Sequence, residues 1–226
     1  MESVHHALEA QLRVEQEFVA EARKTEKAPK GWPAALLMFH VSMWRELLRN
    51  ALHDVSEGRP YAPPPPSSDD FNNTELANGI GTPLMDAAAR SDRLLAEIIA
   101  LYDSVGERKF EWYTSKTTTE AVLRNSYLHP RLHMYEYLKE NGNLEGGLKL
   151  FEAEATEMRE LQAPPIVMGS ALYNLAVVRA AQDNSVEAIT RLEEALTLRP
   201  DLKTQAAEDD DLAVLRSSAD FQKLIS

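Results

Sequence analysis

The stretch Trp32-Pro-Ala-Ala-Leu-Leu-Met-Phe-His40-Val-Ser-Met-Trp44 decides the fold class. It opens a helix predicted to run from about Trp32 to Val55. Pro33 suits the first turn, where a missing N–H costs nothing, and Gly58 with Pro60 ends the helix. Upstream, apolar residues recur with the same helical period at Val4, Ala7/Leu8, Leu12, Val14, Phe18/Val19 and Ala22. Downstream, Leu84, Ala87/Ala88, Leu94/Leu95, Ile98/Ile99 and Tyr102 predict a third helix over about Pro83 to Ser104. A fourth opens on the capping-box pattern Thr117-x-x-Glu120 and runs to Asn141, where Gly142 can close it. Four helices of about 20 residues each predict an all-α chain that begins with a four-helix bundle over residues 1–141.

Between the second and third helices lies Tyr61-Ala-Pro-Pro-Pro-Pro-Ser-Ser-Asp-Asp70, which does not read as helix interior. Four consecutive prolines predict a stiff, extended crossing over one end of the bundle.

Composition narrows the chemistry. The chain has 226 residues, 44% of them hydrophobic, no cysteine and a formal net charge of −12. The apolar content supports a sizeable core. The absence of cysteine excludes disulfides, a thiol nucleophile, thiolate metal sites and iron–sulfur clusters. The negative charge argues against nucleic acid and anionic membranes as partners. The longest apolar stretch, Ala34 to His40, is too short to span a bilayer. Met1 to His6 shows no basic region followed by an apolar run, so the expected location is the cytoplasm.

Three of the six histidines stand out. His40 sits in the most apolar part of the second helix. His129 and His133 are four apart on the fourth helix and project from one face. Pro130 between them should kink that helix and free the Ser126 carbonyl. Two readings are open. Either His40 is a satisfied core histidine and the other two are surface residues, or the three imidazoles converge on a divalent ion such as Zn²⁺ or Ni²⁺. Glu136 and Glu140 continue the His129/His133 face, where either could hydrogen-bond a ligand imidazole or face water, and water is expected for Glu140. Trp44, Trp112 and Tyr113 are candidates to line a pocket beside the ion, and Arg124 and Tyr127 to bind an anionic group. Asn78-Gly-Ile-Gly81 lacks the third glycine and the strand of a phosphate loop. Glu208-Asp-Asp-Asp211 lacks cation-loop spacing and reads as a solvated acidic turn.

The same residues carry a family resemblance. Trp32 to Trp44, with its Trp, seven residues, then His, is similar to the second-helix signature of the DinB-like superfamily of YfiT-type bundles. His129-Pro-Arg-Leu-His133 resembles that family's H-x-x-x-H motif, and Trp112-Tyr113-Thr114 before the fourth helix is closer to its ClbS/DfsB branch. The resemblance covers about residues 1–141 and implies a metal triad at His40, His129 and His133. It also implies a thiol-dependent transferase, isomerase or hydrolase. With no cysteine in the chain, any thiol must be an external small molecule.

From Gly142 the character changes. Residues 1–141 carry a formal charge of −5 and residues 142–226 carry −7. Short helices are predicted over Leu144 to Leu161, Val167 to Gln182 and Val186 to Leu198, with smaller pieces near Leu212 and Phe221. Gly142 to Phe151 aligns with Asp183 to Leu192 at an offset of 41 residues. Leu172, Leu175, Ala176, Ala188, Leu192, Ala195 and Pro200 resemble the packing positions of a tetratricopeptide repeat, with Asp183 in place of the turn glycine. That resemblance implies either helices that cover the bundle or a surface for a protein partner. Two functions are therefore expected to compete. One is a metal-dependent enzyme that hydrolyses a small electrophilic substrate or transfers a thiol to it, in detoxification or stress. The other is a non-catalytic adaptor whose tail docks a protein. A metal-dependent sensor is a third, and family resemblance with apolar helix faces makes a homodimer an expectation.

Overall fold

The computed structural model describes residues 2–226, with the backbone alone at residue 2. Met1, the start of the stretch read for an export signal, lies outside the described residues. Apart from loops and one small hairpin, the described residues are helical. It divides into two compact units, Met1–Leu144 and Glu145–Ser226. No helix among the described residues is long and apolar enough to cross a membrane.

In the first unit the long rods are α1 (Glu2–Thr25), α2 (Ala34–Ser56), α4 (Leu84–Val105) and a composite fourth rod. That rod consists of α5 (Thr118–Leu123), a π-helical turn (Arg124–Leu128) and α6 (His129–Glu140). α2 packs along α4, α1 lies against α4, and the composite rod lies against α1 and α2. α2 begins at Ala34, leaving Trp32 outside the helix and Pro33 at its cap. Thr117 caps α5 by accepting a hydrogen bond from the Glu120 amide at 3.2 Å. The Glu120 carboxylate accepts from the Lys116 amide, one residue earlier than in the usual capping box.

Three features depart from the sequence reading. Residues Leu12 and Val14 do not form the buried stripe of α1; Gln11 and Glu15 do, fully buried between Leu8 and Phe18. The reason is Arg45, also fully buried, which donates to both Glu15 carboxylate oxygens at 2.6 and 2.7 Å. A second buried arginine, Arg131, donates through Nε to Gln11, which itself donates to Glu15. The second departure is a short helix, α3 (Ser68–Glu75), directly after the prolines. Ser67 caps it, and Asp69 and Asp70 complement the positive end of the helix rather than oppose it. Thirdly, β1 (Lys109–Trp112) and β2 (Ser115–Thr117) form an antiparallel hairpin across Tyr113-Thr114. Its buried Phe110 and Trp112 alternate with exposed residues, too brief a pattern to register as strand.

The prolines cross against this hairpin. Tyr61 packs on Phe110 and accepts a hydrogen bond from the Glu111 amide, while the Tyr113 hydroxyl donates to the Pro65 carbonyl at 2.8 Å. Pro130 has no N–H for the Ser126 carbonyl. Arg45 Nη2 takes that carbonyl at 3.0 Å, so the freed acceptor is not left bare in the core.

In the second unit α7 (Leu144–Glu160), α8 (Pro165–Ala181) and α9 (Ser185–Leu198) precede the short α10 (Lys203–Glu208) and α11 (Ala219–Ile225). The unit's compact core begins at Glu145, the second residue of α7. α8 and α9 form a close hairpin over the fully buried Ala176 and Ala188. Asp183 sits at φ 59° in the turn, and Asn184 caps α9 through the Glu187 amide. The 41-residue offset survives in three dimensions. Gly142 also has positive φ, Gly147 is buried like Ala188, and Phe151 is buried like Leu192. The acidic run 208–211 is not wholly solvated. Asp209 accepts from the Tyr173 hydroxyl and from the Asp211 amide, and Arg216 donates to the Glu208 and Asp209 carbonyls.

Arg45→Met strands the Glu15 carboxylate in the core. It is expected to cost about 3–5 kcal/mol in urea unfolding. The double change Glu15→Gln/Arg45→Met should cost clearly less than the two single changes summed; strict additivity would show the pair to be uncoupled.

Candidate metal centre

α2 delivers His40 and α6 delivers His129 and His133 to one point. The three Nε2 atoms form a nearly equilateral triangle: 3.0 Å between His40 and His129, 3.1 Å between His40 and His133, and 3.0 Å between His129 and His133. The trio is the one cluster of three or more candidate ligands with this convergence among the described residues. Neutral imidazoles cannot satisfy that triangle alone. Each Nε2 carries either a lone pair or a proton, so whichever way the protons are placed, one edge has two donors or two acceptors. A shared cation resolves the conflict. Three nitrogens at these separations can all lie about 2.0–2.1 Å from one ion set to the side of their plane.

The electrostatics favour the metal-ready state. Burial, and then the neighbouring His133, push His40 from 6.5 down to about 3. His129 is lowered well below its usual value by burial first, then by His133, His40 and Arg45. Both rings are therefore neutral at physiological pH, as ligation requires. Glu136 lies 2.8 Å from His133 Nδ1, so the proton of that ring belongs on Nδ1 and its Nε2 lone pair faces the triangle. His40 has no such partner, and its Nδ1 is buried without a hydrogen bond. Its ring is held instead by Trp32 and Trp44, with centroids at 5.0 and 6.4 Å.

Beside the triangle opens a cavity of about 340 Å³. Trp44, Trp112 and Tyr113 line it, as the sequence suggested, and so does Arg124. Tyr127 does not. It is fully buried beneath the Arg131 guanidinium, 4.1 Å from the ring centre, and so is packed away from any substrate. Glu140 is exposed. Residues the sequence reading did not assign to the pocket are Trp32, Ser68, Asn72, Ser115, Ala121 and Asn125. Trp32 stacks on His133 at 5.7 Å, and its place in the quoted stretch was the available signal. Asn72 accepts from Trp44 Nε1, and Asn125 donates to the Trp44 carbonyl. Nothing in their local sequence marks either one.

Comparison of the chain with protein-family models, with curated proteins and with solved structures finds no match.

The two depressed histidines set a pH dependence. In the unfolded chain they protonate near pH 6.5, whereas the folded chain keeps them neutral, so the unfolded state binds more protons. In the presence of a chelator, stability should be complete above about pH 6.5 and fall towards pH 3, by up to about 1.4 kcal/mol per pH unit for each group. Urea unfolding of the His40→Phe variant should show a shallower slope over that window.

Proposed function

We propose that residues 1–141 form a DinB-like bundle of the YfiT or ClbS/DfsB type, and that the protein is a divalent-metal-dependent enzyme acting on a small electrophilic molecule. The observation that carries this reading is the triangle of three Nε2 atoms set in the wall of a substrate-sized cavity. His40, His129 and His133 would hold a Zn²⁺ or Ni²⁺ ion, which would supply Lewis acidity and lower the pKa of water or an external thiol there. The chain's own part is positional. Glu136 fixes the His133 tautomer, and Trp32 and Trp44 clamp His40. Trp44, Trp112 and Tyr113 give the reactant an apolar wall that excludes bulk water. Hydrolysis or thiol transfer in detoxification or stress is the reaction class this site suits. The location we infer is the cytoplasm.

A second reading concerns the tail. We infer a tetratricopeptide-like role in docking a protein from the α8–α9 hairpin and its 41-residue echo in α7. Val186, 81% exposed at the start of α9, borders a groove shared with α11 and offers an apolar foothold.

Metal analysis of the purified protein should find about one divalent ion per chain, lost in His129→Ala/His133→Ala. Equal metal content in the two proteins would end the metal reading. For the tail, deletion of 143–226 should abolish capture of a partner or change the assembly state; no change in either removes the docking role.

A further inference from the structure

Trp44 is held at both ends by an asparagine, and the hydrogen bonds fix which way each amide points. Its Nε1 donates to Asn72 Oδ1 at 3.0 Å, and its carbonyl accepts from Asn125 Nδ2 at 3.1 Å. An indole N–H only donates, so the oxygen of the Asn72 amide must face it, which leaves both N–H bonds of Nδ2 for another partner. Among the described residues nothing accepts from them, and Nδ2 is not sealed in the core. Asn72 lines the cavity beside the histidines. Its amide therefore offers that cavity two N–H donors, with its oxygen committed to Trp44.

α3 keeps the donor in place. Ser67 caps the helix, and Phe71 packs on Trp44 with ring centroids 4.9 Å apart. Ser68 stands one turn before Asn72 on the same face, is exposed, and adds a hydroxyl to the cavity. No carboxylate lines this wall to hold a cation. Arg124 shares the wall, but its Nη1 already donates to Thr114 and Ser115, and the Asn72 contact does not involve it.

The aromatic rings offer faces rather than polar tips. Trp44 Nε1 is taken by Asn72, and the Tyr113 hydroxyl donates to the Pro65 carbonyl. The two rings stand with centroids 6.2 Å apart and planes inclined by 58°, walls that suit a flat apolar body. A volume of about 340 Å³ is at the small end of ligand sites. A neutral amide donor suits a neutral acceptor. A carbonyl oxygen exchanges water for such an N–H at small cost, whereas a carboxylate gives up far more hydration for the same bond.

We propose that this cavity takes a small, planar, uncharged carbonyl compound, with its flat body against Trp44 and Tyr113 and its carbonyl oxygen accepting from Asn72 Nδ2. A carbonyl compound is an electrophile, and the inference rests on reading this cavity as the reaction site. Asn72 is then a specificity-determining residue.

Asn72→Asp is the decisive variant, because it keeps an oxygen for Trp44 Nε1 and replaces the two donors by an acceptor. The full chain, treated with chelator so that no probe can ligate a metal, is titrated with acetophenone, ethylbenzene and 1-phenylethylamine by ligand-observed NMR. The ratio of acetophenone to ethylbenzene affinity should fall about tenfold in Asn72→Asp, while the protonated amine gains relative to ethylbenzene. Ethylbenzene itself should keep its affinity to within about twofold, an outcome that a merely structural role for Asn72 would not give. Should Asn72→Asp not fold by circular dichroism, native protein labelled with ¹⁵N decides: acetophenone should shift an asparagine side-chain amide pair that ethylbenzene leaves in place, and absence of that shift overturns the proposal. An unchanged ratio in Asn72→Asp, an equal loss of all three probes, or no binding of acetophenone at millimolar concentration would each overturn it as well. Native protein that binds acetophenone as expected but holds no divalent ion overturns the metal reading alone, because the titration does not depend on metal.

Discussion

The ion pair between Arg45 and Glu15 is the constraint on which the first unit depends. Both side chains are fully buried, and together they join α1, α2 and, through the Ser126 carbonyl, the composite fourth rod. Arg45 Nη1 also donates to Ser91 Oγ on α4, so a single guanidinium touches all four rods. Buried ion pairs are poor sources of net stability, since desolvation consumes most of the attraction. Their effect here is on register. If α2 turned or slid by one residue against its neighbours, Arg45 would lose the carboxylate, the hydroxyl and the carbonyl together. His40 is five residues before Arg45 on the same helix and shares that register.

The kink in the fourth rod belongs to the same arrangement. Pro130 removes one helical donor, and the π-helical turn 124–128 inserts extra backbone just before His129. An irregular turn in a core is tolerated only if its carbonyls find partners. Arg45 supplies one partner, and Asn125 fastens the turn to the Trp44 carbonyl. The irregularity thus changes where α6 points without leaving bare polar groups. His129 and His133 then face His40 with Nε2 separations of 3.0 and 3.1 Å, a spacing that a shared cation would satisfy.

How much of this was legible in the sequence differs by kind of residue. The long helices were readable because their apolar residues repeat over five or more turns, and a period that long survives local exceptions. The histidines were readable because i,i+4 spacing fixes two of them on one face whatever the tertiary fold. Gln11 and Glu15 were not readable, because a polar side chain in a helix normally marks the solvent face. Only Arg45, a charge set directly after Trp44 in an apolar stripe, hinted that a buried partner was needed. The hairpin was hidden by its length, since two strands of four and three residues show too few alternations. Asn72 and Asn125 reach the cavity by tertiary placement, which no local pattern encodes.

The proline crossing links the structural and chemical halves of the unit. A flexible loop between α2 and α4 would pay a large entropic cost to lie still over the cavity. Four prolines remove most of that freedom before folding begins. The segment can therefore hold the Tyr113 hydroxyl, and through it the hairpin tip that carries Thr114 and Ser115. Those two hydroxyls position Arg124. A stiff crossing, a three-residue strand and one arginine thus form a mechanical chain ending at the cavity wall. Its consequence is an arginine placed on a rigid support in the same cavity wall as the three histidines, a wall lined by no carboxylate.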